Sequence, residues 1–127
     1  MSDDERSALE ANERLLKAID AGDWATYTSL CDAQITCFEP EAGGNLVSGL
    51  PFHKFYFDLP ASGTPRQSSI SSPYVRVNGD VALVCYIRLV QKLDAQGAPV
   101  TATVEETRLW ERQNGQWKHT HFHRSAC

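Results

Sequence analysis

Four strand-like segments follow one another in the second half of the chain, with only short turns between them. They cover residues 70–77, 81–93, 100–112 and 116–124. Two of the turns, Asn78-Gly79-Asp80 and Asn114-Gly115, have the sequence of tight hairpin turns, because asparagine and glycine tolerate the positive φ angles found there. Consecutive hairpins make antiparallel neighbours, so this half of the chain predicts an antiparallel sheet.

The first part of the chain has the spacing of helices instead. Ser2 and Glu5 form an S-x-x-E capping box, and the apolar residues that follow return on one helical face. This pattern predicts a helix over residues 3–21 that ends at Gly22. Asp23 is a suitable N-cap for a second, shorter helix.

The middle of the chain connects these two parts. Residues 34–39 predict a strand, and residues 40–49 predict a loop. The aromatic segment 50–57 favours a short helix, with a strand as the alternative. Helices first and hairpin-linked strands afterwards define an α+β fold, in which the long helix packs against a bent antiparallel sheet. A length of 127 residues suits one core, so we expect a single domain over residues 1–127.

The composition excludes several classes of function. A net charge of −4 and scattered basic residues argue against nucleic acid as a partner, because phosphate binding needs a basic face. No stretch approaches the ~18–20 apolar residues that span a bilayer, so no membrane partner is expected. The cysteines Cys31, Cys37, Cys85 and Cys127 include no C-x-x-C pair. We interpret them as free thiols of a reducing compartment and expect a cytoplasmic location.

Strand alternation gives three arginines an apolar environment. Side chains at i and i+2 share one face of a strand, which places Arg88, Arg108 and Arg124 beside large apolar or aromatic residues. If the strands align these faces, the three guanidinium groups line one concavity with Glu106 as their partner. A bound carboxylate or phosphate would then offset the unpaired positive charge. Two alternatives stay open: a structural network of ion pairs, and arginines that lie on opposite faces in solvent.

Histidine alternates along the last strand, at His119, His121 and His123. The alternation predicts that these rings share the face opposite Arg124, together with Trp117. An H-x-H pair can bind zinc or copper, but no cysteine or carboxylate at a short fixed spacing completes such a site. We therefore predict no metal site, and a packed or interfacial face whose protonation weakens a subunit contact.

Other chemical signatures are absent from the sequence. It contains no G-x-S-x-G, P-loop or G-x-G-x-x-G motif, so neither a catalytic centre of these kinds nor a cofactor is predicted. The spacing of the acidic residues singles out no pair for acid–base work. His53, within the aromatic segment, is interpreted as a residue of the core or of a pocket wall rather than as a catalytic base.

Several short segments, taken in order, resemble one known family. They read GDWATYT at 22–28, FEPEA at 38–42, GNLV at 44–47, FHKFYF at 52–57, YIR at 86–88, EETR at 105–108 and HFHRS at 121–125. Together they are similar to the association (hub) domain of calcium/calmodulin-dependent protein kinase type II. The resemblance covers about residues 11–126.

The resemblance implies a cone-like α+β fold of the nuclear transport factor 2-like (cystatin-like) class, with a long N-terminal helix in a strongly curved antiparallel sheet. It implies that the chain assembles with itself into a large ring of ten or more subunits, with a kinase chain as a partner. It also implies a pocket for a small carboxylate, at the positions of Arg88, Arg108, Arg124, Tyr27 and His53. Kinase catalytic residues are absent from this chain, so we expect no enzymatic activity.

An enzyme of the same fold class is the alternative. Small isomerases and dehydratases of this class use the cavity of the cone for chemistry. In such an enzyme His53 or Glu106 would be the acid–base group and the arginines would bind the substrate. Arginine itself is a poor base, because its pKa exceeds about 12. Subunit number separates the two functions, since the small enzymes are dimers or trimers.

Overall fold

The computed structural model describes residues 1–126 of the chain. The elements are α1 (Asp3–Ala21), α2 (Trp24–Leu30), β1 (Cys31–Phe38), a 3-10 turn (Pro40–Ala42), β2 (Val47–Ser48), α3 (Pro51–Phe57), β3 (Gln67–Asn78), β4 (Val81–Leu93), β5 (Pro99–Gln113) and β6 (Gln116–Ala126). The α+β prediction is confirmed. The aromatic segment forms a helix rather than a strand, with Pro51 at its first turn, where the missing N–H costs no helical hydrogen bond. Cys127, interpreted above as a free thiol, lies outside the described residues.

The predicted caps define the first two helices. Ser2 Oγ accepts a hydrogen bond from Glu5 N at 3.1 Å, and Ser2 N donates to Glu5 Oε1 at 2.9 Å. α1 ends where Gly22 adopts a φ of +66°, a left-handed conformation that glycine tolerates. Asp23 then caps α2, because its Oδ1 atom accepts from Thr26 N at 3.1 Å.

All six strands belong to one sheet, in the order β2-β1-β6-β5-β4-β3. β3 to β6 pair as the predicted antiparallel hairpins. In the β5–β6 turn both Asn114 and Gly115 have positive φ, as a type I′ turn requires. β1 lies parallel to β6, so the sheet is mixed rather than antiparallel throughout. No tight turn links β1 to β6, because β2 to β5 lie between them in the sequence, so hairpin signals say nothing about this pair.

One face of the sheet packs against α1, and we call it the inner face; the opposite face is the outer face. Leu15 and Leu16 of α1 are buried in one cluster with Val84 and Trp110 of the sheet. Trp110 Nε1 donates to Asn12 Oδ1 at 3.0 Å, which ties the middle of α1 to β5. No helix in the part of the chain described here combines the length and hydropathy needed to cross a bilayer.

A β-bulge in β6 changes the face that one histidine occupies. Leu109 and Trp110 are consecutive on β5, but their partners on β6 are His121 and His119, so Thr120 is an extra residue. The extra residue reverses the alternation on its N-terminal side. His119 therefore lies on the inner face and is fully buried, and its predicted place beside His121 is wrong.

Because of the same bulge, Trp117 also lies on the inner side of the sheet, and its predicted place on the outer face is wrong. Its Nε1 atom donates to Ser7 Oγ of α1 at 2.9 Å, which places the ring on the inner side of the sheet. His121 and His123 stay on the outer face, where their rings lie 6.1 and 5.8 Å from the ring of Phe38. The predicted row of three histidines and one tryptophan is therefore divided between the two faces.

Candidate functional site

Glu106 occupies the centre of the inner face. In the register of the sheet it lies between Tyr86 of β4 and Arg124 of β6. Arg88 lies two residues after Tyr86 on β4, and Arg108 lies two residues after Glu106 on β5. Both side chains therefore project to the same face as Glu106. The three arginines singled out by the sequence thus surround one carboxylate, and we call Arg88, Arg108, Arg124 and Glu106 the arginine cluster.

The carboxylate of Glu106 is held from several directions. Its Oε1 atom accepts from Tyr86 Oη at 2.6 Å and from Arg108 Nη2 at 3.1 Å. Its Oε2 atom accepts from Arg88 Nη1 at 3.2 Å and lies 3.7 Å from Arg124 Nε. Hydrogen bonds from charged donors are stronger than neutral ones, so this carboxylate is the polar centre of the sheet.

Burial and charge shift the pKa values of Glu106 and Arg108 in opposite directions. Burial alone would raise the pKa of Glu106, but the charges of Arg108 and Arg88 lower that pKa to about 2. Burial alone would lower the pKa of Arg108, but the Glu106 carboxylate raises it above its usual value. Each group therefore keeps the other ionised at neutral pH.

Three further carboxylates reach the arginine cluster. Asp20, at the end of α1, accepts from Arg88 Nη2 at 3.0 Å. Glu41, in the 3-10 turn, accepts from Arg124 Nη1 at 2.8 and 3.0 Å, and a Glu39 oxygen lies 3.8 Å from the same nitrogen. The expectation of unpaired positive charge is therefore wrong. The carboxylates come from other segments of the chain, so strand alternation does not reveal them.

Local spacing contained a signal for two of these carboxylates. Asp20 follows the buried Leu16 by four residues on α1, which is the spacing of one helical face. Glu39 follows the buried Cys37 by two residues, which is the spacing of one strand face. Each residue could have been assigned to the inner side, although not to a particular arginine.

Aromatic rings form a wall beside Arg108. Its guanidinium carbon lies 4.6 Å from the centroid of the Phe122 ring, which lies 5.6 Å from that of His53. His53 lies 6.2 Å from Tyr27, so the two wall residues implied by the resemblance share this interior. Burial, followed by the charge of Arg108, lowers the pKa of His53 to about 4, and burial raises the pKa of Tyr27. Both side chains are therefore uncharged at neutral pH.

His119, which the strand pattern assigned to the outer face, extends the polar network inward. Arg108 Nη1 lies 3.3 Å from His119 Nε2. Because a guanidinium can only donate, Nε2 accepts, and the ring proton lies on Nδ1, which faces Cys31 Sγ at 3.6 Å. Burial, followed by the charge of Arg108, holds the pKa of His119 well below its usual value. His119 is thus a neutral ring that accepts a hydrogen bond from Arg108 and donates one towards Cys31.

A cleft of about 610 Å³ opens between α1 and β3 at the edge of the sheet. Asp20 and Ser68 line this cleft, and both contact Arg88, which donates from Nε to Ser68 Oγ at 2.9 Å. Arg66 also lines the cleft and lies 3.2 Å from Asp20 Oδ1. The Arg88 end of the arginine cluster therefore approaches the cleft, whereas the Arg124 end is itself partly exposed.

The alternative of an acid–base enzyme assigns the acid–base role to Glu106 or His53. General acid–base catalysis works best when the pKa of the group lies near the pH of the reaction. The pKa is about 2 for Glu106 and about 4 for His53, both far below neutrality. The Glu106 carboxylate is also occupied by hydrogen bonds from its arginine and tyrosine neighbours.

The outer face is apolar in the middle of the sheet. Its half-buried side chains there include Leu83, Cys85, Ile87, Leu89 and Leu109. At the side formed by β1 and β6, Phe38 is 38% exposed and contacts the rings of His121 and His123. A broad apolar surface of this kind is typical of a protein–protein interface.

Comparison with known proteins identifies the family. The model of the calcium/calmodulin dependent protein kinase II association domain matches residues 4–127. The curated calcium/calmodulin-dependent protein kinase type II subunit delta of Oryctolagus cuniculus is 47% identical over 121 residues, which are 93% of this chain. The chain spans only 23% of the length of that relative, and what it contains of such a kinase is the association domain.

Solved structures agree with this match. The CaMKII hub homology domain of C. reinhardtii has a TM-score of 0.91 and 48% identity, over 96% of this chain and 97% of that chain. The CaMKII association domain of C. elegans has a TM-score of 0.90 and 40% identity, over 98% and 100%. A nuclear transport factor 2-like superfamily protein of Salmonella enterica, 19% identical over 96% and 89%, shares the fold with a TM-score of 0.77. This chain belongs to the association (hub) domain family of calcium/calmodulin-dependent protein kinase II and has the nuclear transport factor 2-like fold.

Proposed function

We propose that this chain is a self-assembly domain that forms a homo-oligomeric ring of ten or more subunits. The observation that carries the proposal is the family match, which extends over residues 4–127. A ring needs head-to-tail contacts between two different surfaces of each subunit, because only such contacts close by rotation. The chain has to offer two separate apolar surfaces for this purpose.

Two apolar surfaces of the chain are candidates for these contacts. One is the outer face, where Leu109 and its apolar neighbours are half-buried. The other lies on α3, where Phe55 is 63% and Tyr56 is 41% exposed. Burial of apolar surface contributes about 25 cal/mol per Å², so covering both surfaces with neighbouring subunits would stabilise the assembly.

Light scattering on the purified chain tests the assembly and its dependence on pH. At pH 8 and micromolar concentration we expect a species of ten or more chain masses. Near pH 5 the mass should fall, because positive charge on histidine rings of the apolar outer face adds repulsion to a subunit contact there. Burial lowers the pKa of His121, so this fall begins below the usual titration range of histidine. The double variant His121→Gln/His123→Gln should keep the larger mass at pH 5.

Two results would contradict this proposal in different ways. A monomer or dimer at pH 8 would exclude the ring. A large mass that stays constant from pH 8 to pH 5 would keep the ring but remove His121 and His123 from its subunit contacts. Circular dichroism at each pH confirms that the subunits remain folded.

We also propose a site for a small carboxylate at the Arg124 end of the arginine cluster. The specific observation in its favour is that Arg124 already binds a carboxylate there, since its Nη1 atom contacts both oxygens of Glu41. The Arg124 and Glu41 side chains are 25% and 35% exposed, whereas that of Glu106 is fully buried. Glu41 is therefore the resident carboxylate that a ligand most readily replaces, and Tyr27 and His53 belong to the wall behind it.

Calorimetry with acetate and butyrate tests this site. In Glu41→Gln the internal competitor is removed, and we expect affinity to rise at least about tenfold, since one charge-assisted hydrogen bond contributes about 1.5–3 kcal/mol and tenfold is about 1.4 kcal/mol. Arg124→Lys should weaken binding, because lysine keeps the charge but loses the planar pair of donors. Glu111→Gln, at an exposed glutamate of β5, is the matched control and should leave the affinity unchanged.

The calorimetric results distinguish the presence of a carboxylate site from competition by Glu41. Equal affinity in the wild-type chain and in Glu41→Gln would keep the site but show that Glu41 does not compete. No heat of binding in either protein would exclude the carboxylate site, and the arginine cluster would then be a structural network of ion pairs.

We propose a reducing, cytoplasmic compartment and a kinase chain as the partner. The free state of Cys31, Cys37 and Cys85 in the described part of the chain supports the compartment. The partner class rests on the curated relative, a kinase subunit of which this chain spans 23%.

A further inference from the structure

Three unlike donor side chains converge where the end of β1 meets α3. Cys37 Sγ lies 3.8 Å from His53 Nε2, and His53 Nδ1 lies 3.8 Å from Glu39 Oε1. One donor atom from each of the three residues lies within 4.8 Å of the other two. Sulfur, imidazole nitrogen and carboxylate oxygen are the three protein donors that bind zinc-like ions.

The local structure holds these donors in place. Cys37 and Glu39 are two residues apart on β1 and just beyond it, so both side chains face inward while Phe38 between them faces outward. His53 lies in α3 and is fixed by ring contacts to Tyr27 and Phe122. Rigid elements on both sides therefore pre-organise the group.

We propose that Cys37, Glu39 and His53 bind one divalent transition-metal ion of the type that prefers sulfur and nitrogen, such as Zn²⁺. Zinc binds sulfur at about 2.3 Å and nitrogen at about 2.0–2.1 Å, so two such donors in a tetrahedral site are ~3.6 Å apart. The observed separation of 3.8 Å between Cys37 Sγ and His53 Nε2 agrees with this spacing, so Nε2 is the nitrogen assigned to the ion. The Glu39 carboxylate, which lies 3.8 Å from Nδ1, turns towards Nε2 to complete the protein ligands of the site. Water completes the fourth position.

The donors differ in protonation state: the His53 ring is neutral, the Cys37 thiol holds a proton that binding has to displace, and burial raises the pKa of Glu39. Burial, followed by the charge of Arg108, lowers the pKa of His53 to about 4, so a ring nitrogen has a free lone pair at neutral pH. Burial raises the pKa of Cys37 to about 12, so the sulfur carries a proton before an ion arrives. Binding breaks the S–H bond and forms the metal–sulfur bond, and the proton passes to solvent.

The neighbouring arginines determine which ions are accepted. Arg108 and Arg124 would repel a cation, but Arg108 pairs with Glu106 at 3.1 Å and Arg124 pairs with Glu41 at 2.8 Å. Arg66 also pairs with Asp20, so four arginines are balanced by four carboxylates, and the Cys37 thiolate adds the negative charge that favours a cation. Ca²⁺ and Mg²⁺ need several oxygen ligands and gain nothing from the thiolate, so this site excludes them.

An ion has a short path to the site. Glu39 is on the side of Glu41 and Arg124, whose side chains are 35% and 25% exposed. Cys37 is fully buried and the His53 side chain is 5% exposed, so a bound ion is shielded from bulk water. The proposed position is separate from the outer face, and metal binding is therefore independent of subunit contacts on that face.

Titration of the chelator-treated chain with Co²⁺ tests the proposal. A thiolate-to-cobalt charge-transfer band in the near ultraviolet should appear and saturate at one Co²⁺ per chain. Zn²⁺ should abolish the band by displacement and raise the melting temperature by at least ~5 °C at 100-fold excess over its dissociation constant. Ca²⁺ and Mg²⁺ should change neither signal.

Single substitutions assign the ligands. Cys37→Ser should remove the band, and His53→Gln should lower Co²⁺ affinity at least ~10-fold. Cys85→Ser is the matched control, because Cys85 is also a free cysteine but lies on the outer face, and it should bind as the wild type does. Circular dichroism shows whether each variant is folded. No band in the wild-type chain, or a band that survives Cys37→Ser, would overturn the proposal.

Discussion

Replacing Glu106 with glutamine is expected to lower the free energy of unfolding by about 3–5 kcal/mol. Glutamine keeps the size of the side chain but removes its charge, and Arg108, only 1% exposed, then stays buried without a carboxylate partner. Arg88 is affected less, because Asp20 remains 3.0 Å from it. Denaturant unfolding followed by circular dichroism at fixed chain concentration measures the change.

Two further variants show whether charge is the cause. Glu111→Gln makes the same replacement at an exposed position of β5 and should change the stability by no more than about 0.5 kcal/mol. Glu106→Gln combined with Arg108→Met removes both charges and should restore part of the lost stability, because no buried charge is left unpaired. A loss in Glu106→Gln no larger than in the control would contradict the central role of this carboxylate.

Acid is expected to destabilise the fold through His119 as the pH falls below 6.5. The folded chain holds this ring neutral, since burial and Arg108 keep its pKa well below the usual value. In the unfolded chain the same ring titrates near pH 6.5. Below that pH the unfolded state binds the additional proton, so this stability is fully present above pH 6.5 and is lost as the pH falls. Unfolding curves at pH 8, 6.5, 5.8 and 5 measure the slope.

His119→Gln isolates this contribution. A glutamine amide can accept from Arg108 and donate to Cys31, as the neutral ring does, but it does not titrate. The slope of stability against pH should therefore become shallower in this variant. His121→Gln, on the outer face, is the comparison: burial lowers the pKa of this ring too, but less than that of His119, so the slope should change less. Equal slopes in the two variants would mean that His119 is not the group that takes up the proton on unfolding.

Local signals were sufficient for the helix caps and the hairpins, but not for β2, which lies inside the predicted loop over residues 40–49. The capping box of Ser2 and Glu5, the stop at Gly22 and the Asn114-Gly115 turn each depend on residues a few positions apart. Interactions of this range are present in any fold that contains the element, so the helix and hairpin boundaries follow from the residues themselves.

The arginine cluster was predictable in part. Alternation along single strands placed Arg88, Arg108 and Arg124 on one face, and hairpin register then brought them to Glu106. The carboxylates that compensate the remaining arginine charges come from outside the hairpins. Glu41 approaches Arg124 from a turn 83 positions earlier in the chain, and strand alternation contains no information about such a contact.

The sequence by itself determined the α+β class, the order of the first two helices and of the hairpin-linked strands, and the faces of the strands wherever alternation is unbroken. Only the tertiary structure decided the parallel β1–β6 pair, the bulge at Thr120 that turns His119 inward, and the meeting of Cys37 and Glu39 with His53. The physical reason is the range of the interactions. Alternation and capping act between near neighbours, whereas these three features depend on how distant segments pack, and one extra residue in a strand reverses every face before it.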